Sequence, residues 1–347
     1  MTPGSLETAT GGYRYDRRVV AELRAAGHAV DVLTLGESFP QPDPATLASA
    51  YQTLAALPAG PVVIDGLALG ALPDVGRHLP AHAPLVALVH HPLALETGLT
   101  PERARQLRDS ERQALAAARH VIVSSPPTAA ILAADYGVAT DRISVAPPGV
   151  DAAPVATGGD GRTVELLSVG SIIPRKGHDL LVEALGPLRD LPWRLTIVGD
   201  ARDRPAADAL DAAIRRHGLE DRIVLAGALS EADLAARYAA ADLFVLASRY
   251  EGYGMVFSEA LAHGLPLVVT AVGEAANLLP AGAGQAVAPD DTAALSAALR
   301  GMIADPAARA ASAAAARAAR DRLPRWSDCA ATFIEVLSQL QATRATA

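Results

Sequence analysis

The sequence predicts two α/β domains, each a parallel sheet with helices on both faces. Three observations carry this. A chain of 347 residues exceeds what one core of ordinary size needs. Short, continuous apolar runs alternate with helical patterns along most of it, the signature of parallel strands buried on both sides. A stretch rich in proline and glycine, Ala146 to Gly161, interrupts the alternation near the middle.

Taken in order, Met1 to Thr10 is polar and turn-rich, and Gly11-Gly12-Tyr13 then opens a helix that ends near Gly27. Strand-like runs follow at Ala29–Leu35, Pro61–Asp65, Pro84–His90, His120–Ser124 and Arg142–Ala146. Thr100-Pro101-Glu102 starts one intervening helix with a capping hydroxyl, a proline at the first position and an acid in the first turn. Ser125-Pro126-Pro127-Thr128 starts another. Ala146-Pro147-Pro148-Gly149 reads as a linker and Gly158-Gly159-Asp160-Gly161 as a mobile segment beyond it. In the second half, strands are expected at Val164–Val169, Arg194–Val198, Arg222–Ala226, Asp242–Ala247, Pro266–Thr270 and Gln285–Ala288. Asp305 caps an alanine-rich helix from Pro306 to Arg322, Leu323-Pro324-Arg325-Trp326 breaks it, and a last helix follows. The expected domains are residues 1–147, 148–325 and a C-terminal helix at 326–347.

Composition narrows the function. Half the residues are hydrophobic but only 4% are aromatic, so alanine, leucine and valine build the interior. The net charge of −8 argues against a nucleic-acid binder. Cys329, the single cysteine, rules out an internal disulfide framework and a cysteine metal site. No run approaches the roughly 18 apolar residues of a spanning helix and no signal peptide is visible, so a cytoplasmic location is expected.

Two loop-to-helix corners carry the chemistry. In SRYEGYGMVFSEALAHGLP, Ser248 to Pro266, an apolar strand ends, a loop with Gly252 and Gly254 follows, and a helix begins near Met255. Glycines admit a ligand close to the backbone, and a helix start offers unpaired N–H groups to an anion. Glu251 lies in the loop and Glu259 about one turn into the helix, both aimed at the carboxyl end of the sheet, where such sheets bind ligands. In SVGSIIPRKG, Ser168 to Gly177, Arg175 and Lys176 follow the strand Val164–Val169. Lys176 is the only lysine of the chain, a compact point charge suited to phosphate in a sequence that otherwise uses arginine.

Glu251-x7-Glu259 and VGSIIPRKG, in this order and spacing, resemble the retaining glycosyltransferases of family four, also called group 1, over nearly the whole chain from Gly11 to about Ser327. The resemblance implies the GT-B fold, two Rossmann-like domains facing a cleft. In that fold an apolar strand precedes the glycine pair. None is present here, so the N-terminal domain is expected to lack its first strand, and a truncated start is the favoured explanation. The C-terminal helix is implied to pack back on the N-terminal domain.

The resemblance also assigns roles. Glu259 is the implied grip on the ribose hydroxyls and Glu251 the contact to the donor sugar, with Gly170, Gly254, Met255 and Val256 lining sugar and phosphates. Arg175 and Lys176 face the diphosphate. Gly227 and Leu229, after a strand, resemble the loop that contacts the base, although a plain turn explains them equally well. Gly12 resembles the glycine loop near the donor phosphates. His90, in His90-His91-Pro92-Leu93, is preferred as the donor-contacting catalytic histidine, with His91 close behind. Tyr13, His91 and Glu96 are candidates for the acceptor side.

The expected reaction moves a hexose from a nucleotide-diphosphate sugar to an acceptor hydroxyl with retention. The acceptor is a sugar, a lipid-linked sugar or a small molecule, and the oligomeric state is unknown. No Asp-x-Asp occurs anywhere, so no metal and no other cofactor is expected. The alternatives are a sugar-nucleotide epimerase or phosphorylase of the same fold, or a silent sugar-nucleotide binding protein. Arg14, Arg17, Arg18 and Arg24 could dock on the inner face of a membrane, although a solvated helix face accounts for them better.

Overall fold

The computed structural model describes residues 1–8 and 10–345, so Ala9 and the last two residues of the C-terminal segment lie outside it. The chain divides into two compact units, Met1–Gly149 with Pro324–Ala347, and Val150–Leu323. The divisions therefore fall two residues to either side of those read from the sequence.

The first unit is built on four parallel strands, β1 (Val62–Asp65), β2 (Leu85–Val89), β3 (His120–Val123) and β4 (Ile143–Val145), in that spatial order. All five residues of β2 are buried, as a strand covered on both faces requires. The expected strand Ala29–Leu35 does not form. Met1–Pro3 lies between this segment and β1. Thr2 N donates to Leu33 O at 3.0 Å and Thr2 O accepts from Leu35 N at 2.9 Å, while Met1 O accepts from Asp65 N at 3.0 Å. A single bridge, Thr2 with Thr34, is the pairing that results. The first-strand position is thus held by three residues rather than left empty.

The first helix, Gly11–Ala25, is capped by Thr10, whose hydroxyl accepts from Tyr13 N. It buries Tyr15, Asp16, Val19 and Leu23. Tyr15 lies at the junction with the C-terminal helix, Trp326–Ala345, with ring centroids 5.8 Å from Trp326 and 6.3 Å from Phe333. Its hydroxyl donates to Ala146 O at 2.8 Å and takes the Cys329 thiol at 3.2 Å.

The second unit holds six parallel strands, β5 (Val164–Val169), β6 (Trp193–Val198), β7 (Ile223–Leu225), β8 (Leu243–Leu246), β9 (Leu267–Thr270) and β10 (Gly284–Val287). Their order is β10-β9-β8-β5-β6-β7, so β5 and β8 are neighbours at the middle of the sheet. Trp193, Leu195 and Ile197 pack one face and Phe244 and Phe257 the other. The segment Gly158–Gly161, expected to be mobile, is tied down at its start: Thr157 N donates to Ala239 O, and Gly159 N to the Asp242 carboxylate. Asp305 caps its helix as expected, through Ala307 N and Ala308 N. That helix stops at Ala319, three residues short of the expected end, and Arg320–Arg322 tighten into a 3-10 turn.

Candidate functional site

Because β5 and β8 are adjacent, the loops that leave their carboxyl ends meet. After β5 the chain makes a 3-10 turn, Pro174–Lys176, before the helix His178–Leu185. Arg175 and Lys176 therefore precede the helix rather than sit in its first turn. Gly177 separates turn from helix at φ +63°, where a Cβ would lie 2.0 Å from Ala247 O, so only glycine lets the two loops approach. Arg249 stitches them together. Its backbone N–H donates to Arg175 O at 2.8 Å, and its guanidinium donates to Pro174 O at 2.6 Å. The same guanidinium forks onto both Asp179 oxygens, at 3.0 and 2.7 Å, which lowers the Asp179 pKa against its burial.

Glu251 sits at the centre of the corner. Lys176 Nζ reaches one carboxylate oxygen at 2.5 Å and Arg175 the other at 3.3 Å, while Ser248 Oγ donates at 2.7 Å. Arg175 also donates to Tyr250 O at 3.2 Å. All three charged side chains are largely buried, with 5%, 13% and 15% exposure for Glu251, Lys176 and Arg175. Burial alone would raise the Glu251 pKa, but the charges of Lys176 and Arg175 outweigh it and hold the carboxyl below its usual range. The trio carries one net positive charge.

The helix Met255–Ala262 begins next to this trio. Gly254 caps it at φ +88° with no side-chain cap, and a Cβ there would strike the Phe257 ring at 2.4 Å. Phe257 N donates to Gly254 O at 2.9 Å, while the N–H groups at the helix's first two positions have no acceptor in regular α-helical bonding. Glu259, in its second turn, accepts from the Tyr238 hydroxyl at 3.0 Å. Gly170, at the end of β5, lies against the Lys176 stem, where a Cβ would stand 3.1 Å from Cδ. Gly199, after β6, packs on Gly170 O and donates to Gly227 O at 2.9 Å, so these three glycine loops run in series along the sheet end. Gly227 is exposed and Leu229 half-buried. Gly170, Arg175, Lys176, Glu251, Gly254, Met255 and Val256 are thus brought together, with Glu259 one helical turn on and Gly227 and Leu229 two strands away.

Sequence reasoning passed over His178, although it adjoins the motif. The ring is 2% exposed, and Nε2 donates to Gly170 O at 3.1 Å. Burial pushes its pKa down to about 4, so it is a neutral donor that fixes the Gly170 loop.

In the first unit, β2 delivers His90. Its Nε2 is 3.2 Å from Asp16 Oδ1 and 3.2 Å from Asp65 Oδ2. Asp65 ends β1, and Asp16 lies in the buried stripe of the first helix; both are 5% exposed. Among the described residues this is where three side chains of the His, Cys, Asp and Glu types bring donor atoms within 4.8 Å of one another. Neither acid was singled out from the sequence. The available signals were a charged residue in an apolar helix stripe and an acid closing an apolar strand. Gly12 packs on the same ring, where a Cβ would lie 3.4 Å from His90 Cδ2. His91 and Glu96 pair at 3.3 Å across the turn that follows. The Tyr13 hydroxyl lies beside Gly4, 3.0 Å from where a Gly4 Cβ would stand. Glu111, 4% exposed, holds the His90–Glu96 loop: it accepts from Leu93 N at 2.8 Å and from Ala94 N at 3.4 Å.

Two parallel α/β units with glycine loops at their sheet ends define a GT-B architecture of two Rossmann-like domains. The family model described as "Glycosyltransferase Family 4" matches residues 10–153, and that described as "Glycosyl transferases group 1" matches residues 163–305. Together they span most of the chain, which belongs to the group 1, family-four glycosyltransferases.

Among relatives, the chain is 34% identical over 264 residues to a D-inositol 3-phosphate glycosyltransferase of Xylanimonas cellulosilytica, covering 71% of this chain and 63% of that protein. It is 36% identical over 170 residues to a mannosylfructose-phosphate synthase of Agrobacterium fabrum, covering 43% and 37%. The chain thus spans less than two thirds of the length of these relatives. Among solved structures, a sucrose-phosphate synthase of Thermosynechococcus elongatus superposes with a TM-score of 0.80 at 23% identity, covering 97% and 95% of the two chains. The Anabaena HepE protein, solved with UDP and glucose, gives 0.72 at 24% identity, covering 95% and 90%. At these identities the likeness is one of fold. Among the described residues no helix is long and apolar enough to cross a membrane.

Proposed function

We propose that the chain transfers a hexose from a nucleotide-diphosphate sugar to an acceptor hydroxyl, with retention at the anomeric carbon and without a metal ion. The carrying observation is the meeting of Arg175, Lys176 and Glu251 beside the start of the helix Met255–Ala262. A leaving diphosphate needs positive potential as charge builds on it. The net positive charge of the buried trio and the open helix start supply it, in surroundings where each is worth more than in water. Glu259 would hold the ribose hydroxyls, because a carboxylate accepts from two neighbouring hydroxyls at once.

Glu251 is bound by two cations and a hydroxyl, which makes it a poor base and a poor nucleophile. Its role is to orient the donor sugar and fix the cations. With that acid committed, deprotonation of the acceptor falls to the leaving phosphate oxygen on the same sugar face, which conserves configuration. His90 would contact the donor sugar, with His91 and Glu96 on the acceptor side. Two relatives are a D-inositol 3-phosphate glycosyltransferase and a mannosylfructose-phosphate synthase, which makes phosphorylated polyols and sugars the first acceptors to try.

Thermal shift against UDP, GDP and ADP sugars tests the reading. A ligand at about 100 times its dissociation constant stabilises by about 2.7 kcal/mol, so one base should raise Tm and the others not. Anomeric NMR of the product with EDTA present should then show retention. No shift with any of the three, or transfer abolished by EDTA, contradicts the proposal.

A further inference from the structure

We propose that Asp16 and Asp65 are positioning residues that clamp His90 Nε2 and hold the ring as an imidazolium, so that Nδ1 serves as a hydrogen-bond donor to the sugar substrate. The inference rests on the reading above that His90 meets substrate. It adds what that reading leaves open: the charge of the ring, the nitrogen that acts, and the two acids responsible.

The geometry sets the tautomer first. Two carboxylate oxygens stand 3.2 Å from the same nitrogen, so Nε2 carries a proton and shares it between them. Asp65 is itself locked, because its other oxygen accepts from Leu67 N at 2.8 Å. Asp16 Oδ2 is buried with no hydrogen-bond partner, so His90 is what compensates that carboxylate. Gly12 covers the Cδ2 edge of the ring and Tyr15 meets it in a T-shaped contact at 4.9 Å. Ser124 Oγ donates to His90 O at 3.2 Å and fixes the backbone. Nδ1 makes no hydrogen bond to the described residues, and about a fifth of the side chain is exposed. The clamped edge faces inward and the remaining nitrogen is left for a ligand.

The ionisable groups facing the ring agree. Burial would lower the His90 pKa, but Asp16 and Asp65 override it and raise it to about 10. Burial raises Asp16 to about 6, with the Asp65 charge adding to it. The Met1 amine, 2.6 Å from Val63 O, opposes Asp16 weakly, and Tyr15 is neutral because burial raises its pKa well above the usual value. At neutral pH the cluster holds an imidazolium against at least one full carboxylate. A neutral imidazole clamped at Nε2 would offer only an acceptor at Nδ1 and could serve as a general base; the cation donates and cannot.

Histidine-labelled 15N NMR of the intact protein tests this, with His90 assigned by its loss in His90→Asn. Both ring nitrogens should keep protonated shifts up to pH 9. In Asp65→Asn, and independently in Asp16→Asn, the ring should lose its proton at least one pH unit earlier. For Asp65→Asn, kcat/KM should gain an alkaline limb absent in the parent, falling about tenfold per pH unit beyond it, while affinity for the nucleoside diphosphate stays unchanged. A His90 ring already neutral at pH 7, or variants whose pH profile parallels the parent, would overturn the clamp. Stoichiometric zinc binding that displaces the ring proton would overturn it too. Should the protein bind no nucleotide sugar, the proposed function fails while the NMR result still decides the clamp.

Discussion

Lys176 and Glu251 are where single side chains decide most. Lys176→Ala removes the compact charge nearest Glu251, at 2.5 Å, and should weaken nucleoside diphosphate binding by about 1.5–3 kcal/mol, read by calorimetry. An unchanged affinity would assign the lysine to structure alone. Glu251→Gln strips the counter-charge from two largely buried cations, and breaking a buried pair from one side costs about 3–5 kcal/mol. Urea unfolding of the second unit should show it. The pH dependence follows from the lowered carboxyl of Glu251: a group with a depressed folded pKa stabilises above its unfolded value, and that stability is lost as pH falls through the folded one. The second unit should therefore lose stability on acidification below about pH 4.3, the unperturbed glutamate value. Glu251→Gln should flatten that decline, and an equally steep decline in the variant would show that other acids govern it.

At the scale of elements, the β5 and β8 corners were readable because apolar strands, glycines and charged residues occur there in fixed local order. Gly177→Ala tests how tightly the corner is built. The left-handed backbone costs about 1–3 kcal/mol, and the collision with Ala247 O adds to it, so Tm and nucleotide affinity should fall together. Loss of stability without loss of affinity would show that the turn does not shape the binding site. The acids around His90 were not readable, because Asp16 and Asp65 are 49 positions apart and meet only through the packing of the first helix against β1 and β2. The same limit explains the strand expected at Ala29–Leu35. Its alternation is right for a strand, but strand pairing depends on what the fold lays beside it, and there it makes a single bridge, Thr34 with Thr2. His178 was missed for another reason: its burial against Gly170 is made by folding and leaves no mark in the motif beside it.

Across the whole molecule, the C-terminal helix belongs to the first unit although it follows the second in sequence. Phe333 and Tyr15, each 1% exposed, seat it on the first helix. Phe333→Ala should destabilise the first unit by about 3–5 kcal/mol and split the melting curve in two, with nucleotide binding kept by the second unit. A single transition shifted as a whole would show that the two units unfold together. The diphosphate corner of the second unit carries the proposed chemistry. Its most direct measurement is calorimetric titration of the preferred nucleoside diphosphate into the parent protein and Lys176→Ala, with and without EDTA. We predict parent affinity indifferent to EDTA and about ten- to hundredfold weaker binding in the variant. Equal affinity in the two proteins, or parent binding that disappears with the chelator, would contradict it.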